Sequence, residues 1–218
     1  MKPEPRWHPA LAIVIALVLY ERLPPKLTFG PAWVAPVLVG ALLLPLLFFG
    51  GRMARNVRST AAITLIAILN FFNIMSVILL VNDLINPHTK HHGLSAADLL
   101  QSGALIWCTN VIVFALWFWE IDEGGVEIRE GVASVVDSQA DFLFPQITLL
   151  QTHARCVLPT WRPMFLDYVY LSFTNALAFS PTDVMPLTHI AKMLMLIESL
   201  ISFITVALIL ARSVNILS

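Results

Sequence analysis

The chain has 218 residues, 58% of them hydrophobic and 12% charged, with a formal net charge of −1 and a mean hydropathy of +0.79. Soluble domains carry about 25% charged residues, so the composition points to a membrane protein, and the near-neutral balance excludes the basic face a nucleic-acid partner needs. The two cysteines, Cys108 in an apolar stretch and Cys156 in a polar one, supply neither a disulfide framework nor a metal-ligand spacing.

The first apolar stretch, 10–20 (ALAIVIALVLY), falls short of the roughly 20 residues a spanning helix needs, with Trp7 extending it at the interface. It has the length of a signal-peptide core. It lacks an A-x-A-like site, however, and runs into Glu21-Arg22-Leu23-Pro24-Pro25, so it reads as a retained anchor or short span. A second stretch, 31–50, contains Pro36 and Pro45, both expected to bend it. Stretches 60–84 and 96–119 are long enough to cross with tilt. Along the third, Asn70, Asn73 and Ser76 recur at helical spacing, which suits interhelical hydrogen bonding or, alternatively, a hydrophilic path.

The loop after it, with His88, Lys90, His91 and His92, invites a metal reading. No cysteine or carboxylate beyond Asp83 stands at ligand spacing, so a polar interfacial loop is the expectation and no metal site is assigned. Ser95 followed by Asp98 forms a capping-box signal for the fourth helix. Trp117 and Trp119 at its far end fit an aromatic belt.

Residues 120–162 are the one long polar segment. Glu120, Asp122, Glu123, Glu127, Glu130, Asp137 and Asp141 stand against Arg129, with a turn at Gly124-Gly125. A solvated loop explains them; an acidic field gathering cations at a mouth is the sharper alternative. Residues 141–146 are more apolar and are expected to pack back on the membrane helices. Pro163, after Trp161 and Arg162, suits the first turn of a helix.

Residues 163–178 are too few to cross a bilayer and return, a Ser-Pro-Thr-Asp loop follows, and the apolar run 190–211 is long enough to cross. The short helix therefore dips into the membrane or lies at its surface. Irregular backbone at membrane depth survives only against protein or a water-filled cavity, which makes this loop the candidate site.

Tyr170-Leu171-Ser172-Phe173, Asp183, Pro186, Leu196-Ile197-Glu198-Ser199-Leu200 and the closing Ala211-Arg212 fall in the order found in potassium-channel pores. Over about a quarter of its length the chain resembles the two-transmembrane-pore potassium channels. With the four earlier apolar stretches, the expectation is an all-α, polytopic helical membrane protein with about five spans and a re-entrant pore-like helix before the last. Residues 1–95 would hold about three helices. Residues 96–218 would form a pore module with an outer helix (96–119), acidic loop (120–162), pore-like helix (163–178), filter-like loop (179–186) and inner helix (188–215). The resemblance also implies a homotetramer in a prokaryotic-type cell membrane, surrounded by lipid and passing monovalent cations.

The T-V-G-Y-G filter is replaced by Ala178-Phe179-Ser180-Pro181-Thr182. A potassium filter substitutes carbonyl rings for the ion's water, using backbone angles that glycine reaches cheaply. Here there is no glycine, Pro181 fixes its own φ and Ser180 is pushed toward extended geometry. Any ion ligands are then the Ser180 and Thr182 hydroxyls, with Asp183 bracing the loop from behind, as the resemblance implies. Potassium selectivity is not expected. Thr174 and Asn175, near the negative end of the short helix, would favour a cation or serve as interhelical glue. Glu198, inside an apolar span, is functional by default or structurally paired.

The densest basic loop, Arg52, Arg55 and Arg58, would lie in the cytoplasm by the positive-inside rule. The resemblance implies the opposite sidedness, so orientation stays open. No nucleophile elbow, phosphate loop or paired-carboxylate constellation is present, so no enzyme and no cofactor are expected. Met185, Met193 and Met195 read as packing residues. The expected function is a cation-permeable pore with a filter of non-standard composition; the alternative is a non-conducting scaffold or accessory subunit that keeps the hairpin.

Overall fold

The computed structural model describes residues 7–31, 33–49, 53–85, 95–122, 140–151, 161–179 and 183–217, the last few of these by backbone only. Among the described residues the fold is all-α apart from one two-residue ladder. Its helices are α1 (Trp7–Glu21), α2 (Val34–Phe49), α3 (Arg55–Ile85), α4 (Ala96–Ile121), α5 (Pro145–Gln151), α6 (Phe165–Ala178) and α7 (His189–Leu217). The strands β1 (Phe142–Leu143) and β2 (Met185–Pro186) pair antiparallel, Phe142 opposite Pro186 and Leu143 opposite Met185.

Among the described residues, three segments are long and apolar enough to cross a membrane: Asn56–Ile85, Ala97–Ile121 and His189–Ala211. Helices α1 and α2 are apolar but only 15 and 16 residues long, roughly 22–24 Å against a hydrocarbon core of about 30 Å. Of the two prolines expected to bend the second stretch, only Pro45 lies inside α2. Pro36 sits in the first turn, where the missing N–H has no intrahelical partner to lose.

Local signals set several boundaries. Asp98 donates its N–H to Ser95 Oγ at 3.1 Å while its carboxylate accepts the Ser95 N–H at 3.2 Å, closing the capping box that opens α4. Helix α6 begins at Phe165, slightly later than Pro163 suggested. Asp167 stops the helix there by accepting the Met164 N–H at 2.7 Å. Pro145 stands first in α5, a short helix the polar composition of 120–162 concealed.

Helix α4 is the centre of the bundle. Its spanning stretch is 61% buried, against 44% for α3 and 28% for α7, and α1, α3, α6 and α7 all pack on it. Ile106, Val113, Phe114, Leu116 and Phe118 fill the core along its length. Burying a large apolar side chain stabilises by about 1.5–3 kcal/mol in water; within a bilayer the gain comes from close packing instead. Trp119 departs from the aromatic-belt expectation. It is buried, edge-on to Phe165 with ring centroids 5.9 Å apart, because α6 covers that end of α4.

Helices α3 and α4 run antiparallel, since Ser59 donates to Glu120 at one end and Asn73 to Asn110 near the middle. Helices α4 and α7 approach most closely at Gly103, where a Cβ would fall 2.6 Å from Ile209 Cγ1. A small residue there lets the two backbones draw together. Gly103→Leu is expected to cost about 1–3 kcal/mol through overpacking, read as a fall in thermal stability in detergent. Ile209→Ala in the same chain should recover most of the loss, and no recovery would show that the close approach is not the cause.

Candidate functional site

Helices α6 and α7 run parallel to each other and antiparallel to α4. Tyr168 and Phe165, early in α6, meet Asp122 and Trp119 at the C-terminal end of α4; further along, Phe173 stacks edge-on against Trp107. Helix α7 starts at the same end of α4, where Thr188 bonds Asp141 and Asp141 in turn bonds Asp122. It then passes Asn110 at Glu198 and Ser202 and reaches Gly103 at Ile209.

Parallel neighbours force the connection to climb back. Helix α6 has 14 residues, roughly 21 Å. It ends with Phe179, whose ring centroid lies 5.6 Å from that of Phe203 about halfway along α7. That level is roughly 20 Å from the start of α7. The stretch from Phe179 to Thr188, at about 3.3 Å per residue, can span roughly 30 Å, enough to cover that distance. The top of the return is β2, and Leu187 extends the ladder by donating its N–H to Asp141 O at 2.8 Å.

Asp122 anchors this end. Its Oδ1 accepts the N–H groups of Asp141 (2.8 Å) and Phe142 (3.2 Å), and its Oδ2 accepts Tyr168 O–H at 2.5 Å. One side chain, 1% exposed, thereby joins α4 to β1 and α6. Phe142, Phe144 and Tyr168 complete an aromatic cluster around it, in keeping with the packed-back reading of 141–146. Burial pushes the Asp141 carboxyl above its ordinary value; the Thr188 hydroxyl pulls it down and the neighbouring Asp122 pushes it up.

Midway along the bundle lies a second polar cluster. Glu198 is fully buried; its carboxyl accepts from Ser172 Oγ and, at 2.6 Å, from Asn175 Nδ2. Asn175 also donates to Met195 O at 3.0 Å, and Val111 O, 2.7 Å from Ser172 Oγ, is a second acceptor within reach of the single Ser172 hydrogen. One turn deeper, Asn110 Nδ2 reaches Ser202 Oγ (3.0 Å) and Glu198 O (3.3 Å), while its Oδ1 accepts from Asn73 at 3.1 Å. The cluster ties α3, α4, α6 and α7 together.

The residues singled out in the sequence divide accordingly. Asn175 and Glu198 meet in this cluster. Thr174 bonds back to Tyr170 O and Leu171 O of its own helix. Ala178 and Phe179 are exposed at the end of α6, Phe179 with a left-handed φ of 56° and its N–H on Asn175 O. Asp183 is exposed on the returning segment, next to buried Val184. Ser180, Pro181 and Thr182 lie outside the described residues, as do the histidines of 86–94 and the acidic residues of 123–139. Among Asn70, Asn73 and Ser76, only Asn73 bonds across helices; Asn70 Oδ1 and Ser76 Oγ are buried with no protein partner. Met195 is buried, whereas Met185 and Met193 are exposed.

Asn110, Ser172, Ser202, Asp122 and Tyr168 escaped the sequence reading as site residues. Asn110 carried a usable signal, since an amide midway along an apolar span calls for a partner as Glu198 does. Asp122 carried none, being one acid among many. Among the described residues no group of three His, Cys, Asp or Glu side chains could hold a metal ion, and Cys108 is a free, partly accessible thiol. No family model, curated protein or solved structure matches the chain.

Asp122→Ala would strand three donors, each costing about 1–3 kcal/mol when buried; Asp122→Asn, which keeps an acceptor for the two N–H groups, should lose clearly less stability. The pH dependence follows from Asp141. Its folded-state value lies above the unfolded 3.8, so the folded state holds the proton more tightly. Its contribution is complete below 3.8 and is lost as pH rises through the raised folded value. Asp141→Asn should flatten the pH dependence of thermal stability in that acidic window, and an unchanged slope would exclude Asp141 as its source.

Proposed function

We propose that the chain is a multi-pass integral membrane protein whose α4–α6–α7 hairpin lines a cation-permeable pore between identical subunits. The observation that carries this is the path of the chain after α6. A helix too short to cross descends beside α7, and the connection climbs back to the end it came from. In a bilayer such a return cannot face lipid, because its backbone polar groups need protein or water. In the single chain Leu177, Ala178 and Phe179 at the turning point are exposed. Further copies around a water-filled axis would cover them, in line with the tetramer implied by the channel resemblance.

Cation preference follows from the same geometry. The carbonyl end of α6 is at the turning point, and a helix C-terminus carries a partial negative charge. The residues that follow in sequence, Ser180 and Thr182, offer hydroxyl ligands without the glycines a carbonyl column needs, with Asp183 in the bracing role. The permeant is thus a monovalent cation, with weak discrimination among such ions. The setting is a prokaryotic-type cell membrane with lipid on the outer faces of the helices.

A second reading, a non-conducting scaffold or accessory subunit, is favoured by one specific feature. The polar face of α6, Ser172 and Asn175, is turned inward onto Glu198, leaving Leu166, Tyr170, Phe173 and Leu177 outermost. Reconstitution of the purified protein in a planar bilayer separates the two. The pore reading expects cation currents whose permeability ratios change in Ser180→Ala and Thr182→Ala variants. Absence of cation current over a wide voltage range, with folded protein verified in the membrane, supports the scaffold instead.

A further inference from the structure

We infer that Glu198 is the positioning residue of the proposed pore: it holds α6 at a fixed depth beside α7 through its hydrogen bonds to Ser172 and Asn175, and so sets the geometry of the turn that follows. The inference rests on the pore reading above and adds a residue that itself never meets the ion.

The side chain does not point toward the exposed turning point. It is fully buried, and the groups around it come from α6 and α4. Ser172 and Asn175 are one turn apart on α6, and the carboxyl of Glu198 receives one of them on each oxygen. A bidentate acceptor on two rungs of a helix resists both sliding and rotation of that helix, which a single bond does not. Asn175 adds a bond to Met195 O, and its own carbonyl oxygen caps the left-handed residue Phe179 through the main chain. Hence the node lies within one helical turn of the point where the chain reverses. On the far side, Asn110 takes hold of α7 at Ser202 and Glu198 O and passes the tie to Asn73 of α3.

The hydrogen inventory makes the role testable. Ser172 has one hydroxyl hydrogen but two acceptors within reach, Val111 O and Glu198 Oε1. A glutamine at 198 would accept from Asn175 through its oxygen and donate from its amide to Ser172 Oγ, freeing the Ser172 hydrogen for Val111 O. Each of the three existing contacts would then keep one donor and one acceptor. An alanine removes both holds at once. Glu198→Gln should therefore preserve the pore, and Glu198→Ala should not.

The experiment is single-channel recording of full-length wild type, Glu198→Gln and Glu198→Ala in planar bilayers with sodium, potassium and caesium chloride as the probes. A residue that only stabilised the fold would change how many channels appear, not the unitary conductance or the reversal potential of each. The inference expects wild-type conductance and permeability ratios for Glu198→Gln, and a shifted reversal potential with altered unitary conductance for Glu198→Ala. Should Glu198→Ala fail to fold, Ser172→Ala and Asn175→Ala each remove one hold and are expected to give smaller shifts in the same direction. Unchanged permeation in the alanine variants, beside a conducting wild type, overturns the positioning role and leaves the pore reading standing. Equal impairment of Glu198→Gln and Glu198→Ala overturns it too, by making charge rather than hydrogen-bond geometry the cause. A wild type that carries no current removes the pore reading and the inference together.

Discussion

A carboxyl group in the middle of an apolar helix bundle is tolerable only when neighbouring groups replace the water it has lost. In this chain that requirement falls on Glu198, and Ser172 and Asn175 of α6 meet it. The consequence reaches beyond one side chain. Helix α6 is too short to be held in a bilayer by its length, and its most exposed residues, Leu166, Tyr170, Phe173 and Leu177, are large apolar or aromatic ones. Its position against α7 comes from these polar contacts together with the approach of Ser172 to Val111 O in α4. Removing them would leave α6 held by its apolar packing on α4 and by the Tyr168–Asp122 bond at its start.

The second support lies at the C-terminal end of α4, where α6 and α7 both begin. Asp122 closes α4 and gathers β1 and Tyr168 around itself, and β1 pairs with β2 at the top of the return. The hairpin is thus pinned twice, by Glu198 midway along the bundle and by Asp122 at the C-terminal end of α4. Between the pins the chain reverses with a left-handed Phe179 in place of the glycine that commonly ends a helix this way. A non-glycine residue accepts that conformation at a cost of order 1–3 kcal/mol. The packing of Phe179 on Phe203 helps to offset it.

Much of this was legible in the amino-acid sequence because hydropathy and length are direct consequences of the bilayer. The helical class, the long apolar helices, the Ser95–Asp98 cap and the short helix before the last long one all follow from patterns confined to a few neighbouring residues. What escaped depends on pairs distant in the chain. Nothing local to Asp122 distinguishes it from Glu120 or Glu123, and its role exists only because β1 and Tyr168 arrive from elsewhere. The two-residue ladder leaves no periodic trace, since two residues have no period. Trp119 was read as interfacial by its place at a helix end, but the cover that buries it, Phe165 of α6, lies in another part of the chain. The pairing of Glu198 was half visible: an acid in an apolar run demands partners, yet only the parallel packing of α6 and α7 says which.

The central claim is that the chain goes into the bilayer along α6 and comes out on the side it entered. Single cysteines at Met164 and Leu187, in a background lacking Cys108 and Cys156, can be labelled with a membrane-impermeant thiol reagent in sealed, oriented vesicles, with a spin label at Phe179 reporting depth. The account predicts that positions 164 and 187 react from the same side while 179 lies near mid-depth. Labelling of 164 and 187 from opposite sides, or a shallow 179, would contradict it.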